Sequence, residues 1–145
     1  MMWNTIPNDE RLHLWKNLRD DIKSKDLEGQ LSEIAQFCKF MPYGARTLDY
    51  YSPTDWPTPW EILYHGSFCT SSISLLMFYT LELVQTPSKL ELQLVEDQQD
   101  IYLMPVIDDH FVLNYQLGAV SIYPEIQNSF KVIKTFPQQE IKIIT

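Results

Sequence analysis

The stretch WPTPWEILYHGSFCTSSISLL, residues 56–76, places tryptophans, prolines, a histidine and a cysteine directly before a long apolar segment. Residues 69–84 would be apolar on almost every side of a helix, which predicts a central, buried helix. We expect Cys69 at its start, with Ser67 or Thr70 as the capping residue. The stretch therefore predicts a cysteine held at the N-terminus of a core helix.

The patterns on either side of this stretch predict the fold class. Apolar residues spaced by three and four indicate two helices within residues 1–41. After the core helix the pattern changes to the alternation of strands, and residues 101–107 and 111–115 flank a hairpin turn. Helices followed by strands indicate an α+β protein, with the central helix packed on an antiparallel sheet. We expect a single domain over residues 1–145, made of a helical N-terminal part (1–41), an aromatic and proline-rich wrapping segment (42–60) and a helix-plus-sheet core (61–145).

Composition and charge exclude several classes of function. The chain has 145 residues and a net charge of −8, and its basic residues form no stripe. Binding to nucleic acid or to an anionic membrane surface is therefore not expected. No apolar run is long enough for a membrane span and no signal-peptide pattern is present, so we expect a cytoplasmic protein. Cys38 and Cys69 form no CxxC pair, and we expect neither a metal nor a cofactor.

Cys69 is the sharpest candidate for chemistry. Free N–H groups and the dipole at a helix N-terminus stabilise a thiolate, and the same N–H groups can hold an oxyanion. The alternative is that Cys69 is a small buried apolar residue, as free cysteine usually is. The spacing of the sequence leaves both interpretations open.

A thiol nucleophile needs a base and a residue that orients the base. His110 follows Cys69 at a separation that suits a pair brought together by the fold, although it lies at the predicted hairpin turn. Asn114 lies four residues further on and can orient an imidazole, or it can face solvent on a strand. His65, just before the core helix, is a candidate for binding or for packing in the turn.

Aromatic residues of the wrapping segment are the candidate binding residues. We expect the segment to bury its rings, because exposed aromatic surface is unfavourable. The rings can line a ligand groove or clad the core. The candidates are Tyr50, Tyr51, Trp56 and Trp60.

Residues 56–76 resemble the segment that leads into the catalytic cysteine of transglutaminase-like cysteine peptidases, within the papain-like superfamily. In that family a W-x-x-P-x-E-x-L stretch precedes a glycine and the cysteine that starts the core helix. Here the matching residues are Trp56, Pro59, Glu61, Leu63, Gly66 and Cys69. The resemblance implies a transglutaminase-like fold with Cys69 as nucleophile and Asn114 as the third catalytic residue.

The sequence also departs from the family pattern. The family histidine is expected on the strand before the hairpin turn, around residues 102–104, and none is present there. We therefore expect a degenerate member that binds a protein partner. The alternative is an active amide hydrolase or acyl transferase in which Cys69, His110 and Asn114 act on a peptide or amide substrate. The chain also resembles bacteriophage proteins in general character, which would place it in a viral particle or the host cytoplasm.

Overall fold

The computed structural model describes residues 3–45, 47–66 and 68–141. It begins with two helices, α1 (Asn8–Ile22) and α2 (Leu27–Cys38). Each helix buries one stripe of apolar residues spaced by three and four, as the sequence predicts. The Asp26 side chain accepts a hydrogen bond from the Gly29 N–H and thereby caps α2.

A short helix, α3 (Pro59–His65), lies directly before the core helix in the chain. Thr58 and Glu61 form a reciprocal capping box at its start. Gly66 ends α3 in the left-handed conformation (φ 71°), which glycine adopts without a steric penalty. The Arg11 guanidinium donates to the carbonyl oxygens of residues 63 and 64 at 2.6 and 2.8 Å, so that α1 holds the end of α3.

The core helix, α4 (Thr70–Leu83), is central and buried, as its apolar composition predicts. Every residue from 71 to 81 is buried. The Trp15 Nε1–H of α1 donates to the Thr80 hydroxyl at 2.9 Å, and this pairing satisfies two polar groups inside the core. Among the described residues, no helix is both long and apolar enough to cross a membrane.

In the described part of the chain, five antiparallel strands form one sheet with the order β4-β3-β2-β1-β5. The fold is therefore α+β, with helices and an antiparallel sheet, which confirms the predicted class. The sheet packs against α4 mainly through its central strand β2. The strands are β1 (Leu90–Asp97), β2 (Asp100–Ile107), β3 (Phe111–Leu113), β4 (Val120–Ile122) and β5 (Lys131–Pro137).

The second face of the sheet is also covered, which the sequence does not predict. Alternation in β1 indicates a strand with one solvent-facing side, but Glu91 and Gln93 on that side are buried. A small second apolar cluster lies on this face and includes Phe130. The Tyr123 hydroxyl, in the short helix α5 (Tyr123–Ile126), donates to Gln93 Oε1 at 3.1 Å. Segments distant in sequence therefore cover polar residues of β1.

Candidate functional site

Cys69 is the N-cap of α4, and its backbone is extended there (φ −78°, ψ 164°). Its Sγ accepts a hydrogen bond from the Ser72 N–H at 3.4 Å, and the Ser72 hydroxyl donates to the Cys69 carbonyl at 2.9 Å. The cap is thus Cys69 rather than Thr70, and Ser67 lies outside the described residues. The side chain is 8% exposed, so that the sulfur is a capping acceptor with a small accessible surface.

Two buried serines of α4 fix the helix against β2. The Leu103 N–H donates to the Ser71 hydroxyl at 3.0 Å, and the Ser74 hydroxyl donates to the Leu103 carbonyl at 2.7 Å. Both main-chain groups of one strand residue are therefore bound by the first two turns of the helix. This contact sets which part of β2 lies beside Cys69.

Asn114 joins the end of β3 to the same helical turn. Its Nδ2 donates to the Thr70 carbonyl and to the Ser74 hydroxyl, each at 2.9 Å. Its backbone is left-handed (φ 66°), a conformation that asparagine tolerates better than most residues. Both amide hydrogens are used in these two bonds. Asn114 therefore ties the end of β3 to α4 through its amide N–H groups, and its role in orienting an imidazole stays a prediction.

A cavity of about 870 Å³ opens beside the N-terminus of α4. It extends from the helix towards the β1–β2 turn and is open to solvent on one side. Cys69 and Asn114 both line it, so that the structure brings two of the three predicted catalytic residues to one place. No histidine is found among the described residues that line this cavity.

His110 lies elsewhere, in the turn between β2 and β3. Its side chain is exposed and its ring packs edge-on against Phe111, while its main-chain N–H donates to the Ile107 carbonyl at 3.1 Å. Ile107 is four residues beyond Leu103 in β2. Because a strand rises by about 3.3 Å per residue, Leu103 and Ile107 lie about 13 Å apart along the strand. The structure does not bring His110 to the cavity. The core helix contacts the middle of β2, whereas the turn that holds His110 lies beyond the end of β2.

The predicted binding residues divide between the core and the surface. The Tyr50 hydroxyl reaches the Ser71 hydroxyl at 2.9 Å, and Tyr50 lines the cavity. Trp56 is buried with its ring 5.0 Å from that of Phe136. The remaining three are exposed and do not line the cavity: Tyr51, Trp60 and His65. The expectation that the wrapping segment buries its rings is therefore wrong for part of the segment.

Sequence reasoning missed several residues of the cavity. Asp97 and Asp100 line it from the β1–β2 turn, and Tyr102 and Tyr115 line it from β2 and from the chain after β3. Burial, followed by the charges of Asp97, Tyr115 and Asp100, raises the pKa of Tyr102 to about 12. The strand patterns of the sequence end at residue 95 and resume at residue 101, so they gave no signal for the two-residue turn that pairs Asp97 with Asp100.

Known proteins resemble this chain in structure and not in sequence pattern. No family model matches the chain, and no curated protein matches it in sequence. Legionella pneumophila LapG is similar in structure, with a TM-score of 0.75 and 18% identity over 89% of this chain and 74% of LapG. The EGTA-treated and calcium-bound forms of LapG give TM-scores of 0.76 and 0.72, with 18% and 16% identity. They cover 90% and 92% of this chain, and 74% and 78% of the respective LapG chain. The chain shares the transglutaminase-like α+β fold of LapG.

Proposed function

We propose that this chain is a non-catalytic transglutaminase-like domain that binds an extended polypeptide segment in the cavity beside Cys69. The observation that carries the proposal is the composition of the cavity wall. It holds a cysteine at a helix N-terminus and an asparagine, but no histidine among the described residues. The fold offers a cleft at the position of a nucleophile, and no histidine lies in its described wall.

A base is required because a cysteine acts as a nucleophile through its thiolate, which an adjacent imidazole generates and maintains. His13, His65 and His110 are all exposed, and each lies outside the cavity wall. Within the described part of the chain, the hydrogen-bond partner of the Cys69 sulfur is the Ser72 amide. Tyr102 keeps its proton at neutral pH as an ordinary tyrosine does, and burial, followed by the charges of Asp97, Tyr115 and Asp100, raises its pKa further, to about 12. It therefore cannot replace the base.

Binding is supported by the size and lining of the cavity. Its volume of about 870 Å³ is large enough for several residues of an extended peptide and falls within the range of ligand clefts. Apolar side chains, among them Met41, Ile101 and Leu117, share the wall with hydroxyl groups. Such a mixture suits a polypeptide, whose side chains are apolar in part and whose main chain needs hydrogen bonds. Whether the partner belongs to a viral particle stays a prediction.

The alternative, a Cys69-dependent amide hydrolase or acyl transferase, is favoured by one observation. Cys69 occupies the N-cap of α4, where main-chain N–H groups can stabilise an anion. The experiment below is designed to separate it from the binding proposal.

One LapG structure is described as calcium-bound. Among residues 3–45, 47–66 and 68–141 of this chain, no group of three or more His, Cys, Asp or Glu side chains is close enough to hold a metal ion.

The first test compares turnover and labelling with peptide binding. In a Cys38→Ser background we expect slow alkylation of Cys69 by iodoacetamide and no hydrolysis of a mixed fluorogenic peptide library. Cleavage that disappears in Cys69→Ala would overturn the non-catalytic proposal in favour of the hydrolase.

Binding is measured by selecting peptides from a random displayed library on the same protein. Selected peptides should lose affinity for Ser129→Trp, which places an indole in the cavity wall, and retain it for Asn128→Trp. Asn128 is the matched control because it is exposed in the same turn and does not line the cavity. If both variants bind equally well, peptides bind elsewhere and the proposed site is wrong.

A further inference from the structure

We infer that the polypeptide segment bound in the Cys69 cavity is cationic, with lysine or arginine side chains directed at Asp97, Asp100 and the free amide oxygen of Asn114. This inference rests on the proposed function and names the chemical class of its ligand. It is carried by three independent features of the cavity wall: its charge, an unpaired acceptor and its aromatic rings.

The charge of the wall has one sign. Among the described residues that line the cavity, Asp97 and Asp100 carry a formal charge, and no lysine, arginine or histidine lies beside them. Neither carboxylate forms an ion pair within the described part of the chain. The net charge of −8 adds to the same potential. A cationic side chain is therefore attracted to this wall, and an anionic one is repelled.

Asn114 supplies an acceptor that the fold leaves unused. Its Nδ2 is committed to Thr70 and Ser74, and no described residue donates to its Oδ1. The residue is only 6% exposed. Among the described residues, Asn114 Oδ1 is not one of the side-chain atoms that are sealed from solvent and lack a hydrogen-bond partner. Because Asn114 lines the cavity, the oxygen keeps some contact with solvent there, and an acceptor in this position favours a ligand that donates N–H groups.

Aromatic rings add a third attraction for cations. Tyr43, Tyr50, Tyr102 and Tyr115 all line the cavity, and Tyr43 is 77% exposed. The face of a tyrosine ring attracts an ammonium or guanidinium group. The negative potential of Asp97 and Asp100 also acts on Tyr102, because, after burial, these carboxylates contribute to the raised pKa of its phenol.

A polypeptide suits the cavity better than a small free amine. Met41, Ile101 and Leu117 give the wall an apolar part that larger peptide side chains fill better than the thin methylene chain of a polyamine. An extended chain places successive side chains on opposite faces, so that alternate cationic and apolar residues can meet the two kinds of wall.

The test uses two fluorescein-labelled peptides of equal length, one alternating lysine with alanine and one alternating glutamine with alanine. Fluorescence anisotropy at low ionic strength gives both dissociation constants, with spermidine as a competitor that has the charge without the chain. We expect the lysine peptide to bind at least about tenfold more tightly than the glutamine peptide, and to weaken as salt is added. Asp97→Asn with Asp100→Asn should raise the Kd of the lysine peptide by up to roughly thirtyfold and leave that of the glutamine peptide unchanged. Asp55→Asn, an exposed carboxylate outside the cavity wall, is the matched control and should change neither.

Each other outcome overturns a defined part of the reasoning. Equal binding of the two peptides, blocked by Ser129→Trp, would leave the proposed function intact and refute the cationic ligand. If spermidine binds as tightly as the lysine peptide, the ligand is a small amine and the assignment to a polypeptide is wrong. If neither these peptides nor the displayed library binds in the cavity, the proposed function itself fails.

Discussion

Replacement of Asn114 tests how the end of β3 is held to the core helix. Asn114→Gly removes two side-chain hydrogen bonds, to the Thr70 carbonyl and the Ser74 hydroxyl, and keeps a backbone that is free to adopt φ 66°. At about 0.5–1.5 kcal/mol for each bond, the free energy of unfolding should fall by about 1–3 kcal/mol. Asn114→Ala loses the same bonds and adds the strain of a left-handed alanine, about 1 kcal/mol more.

Urea denaturation followed by circular dichroism measures both variants, provided that the m-value is unchanged. Gln85→Gly is the matched control, because Gln85 is exposed, has φ 58° and makes no side-chain hydrogen bond to a described residue. We expect this control to be as stable as the parent protein or more stable by up to about 1 kcal/mol. If Asn114→Gly also stays within about 0.5 kcal/mol of the parent, the two bonds contribute nothing and our account of Asn114 is refuted.

Three further variants test other parts of the structure. Gly66→Ala should lower the free energy of unfolding by at least about 1–2 kcal/mol, because φ is 71° and the added Cβ would lie 2.9 Å from Arg11 Cζ; an unchanged thermal midpoint would contradict this. The pKa of Tyr102 is raised from 10.0 to about 12. Above pH 10 the unfolded chain therefore loses a proton that the folded protein keeps, and the free energy of unfolding should fall as the pH rises towards 12. Alkaline titration by absorbance, with Tyr102→Phe as the comparison, should show one late-ionising phenol fewer in the variant. Cys69→Ser should keep or raise stability by up to about 1 kcal/mol, because serine is a preferred N-cap and can accept the Ser72 N–H; a loss above about 2 kcal/mol would mean that packing of the sulfur dominates.

Local patterns predicted the elements that surround Cys69. The apolar run of α4 was long enough to indicate a buried helix, and the same pattern placed Cys69 at its start. Gly66 separated the two helices at the point where a left-handed residue is needed. These features depend on neighbours in the sequence, so that composition and spacing suffice to find them.

The features that the sequence could not predict depend on distant contacts. Glu91 and Gln93 were expected to face solvent, but residues of the chain near Tyr123 and Phe130 cover them. The left-handed backbone of Asn114 has no local signal, because its side chain is held by α4, which lies more than 30 residues earlier. Alternation of apolar and polar residues in a strand predicts that its two faces differ, but it does not predict which distant segments cover them.

The register of β2 on α4 explains why the cavity holds a cysteine without a histidine. Leu103 is bonded to two serines of α4 and belongs to the core cluster that includes the helix. Successive strand residues point to opposite faces, so that within residues 102–104, where the resemblance expects the family histidine, only position 103 faces α4. A buried leucine there adds about 1.5–3 kcal/mol of apolar burial to the core, whereas an imidazole would need a polar partner. Leu103 therefore strengthens the packing of helix on sheet, and its neighbour Tyr102 lines the cavity beside Cys69 where the wall holds no histidine among the described residues, which is why a stable fold with Cys69 in place does not by itself imply catalysis.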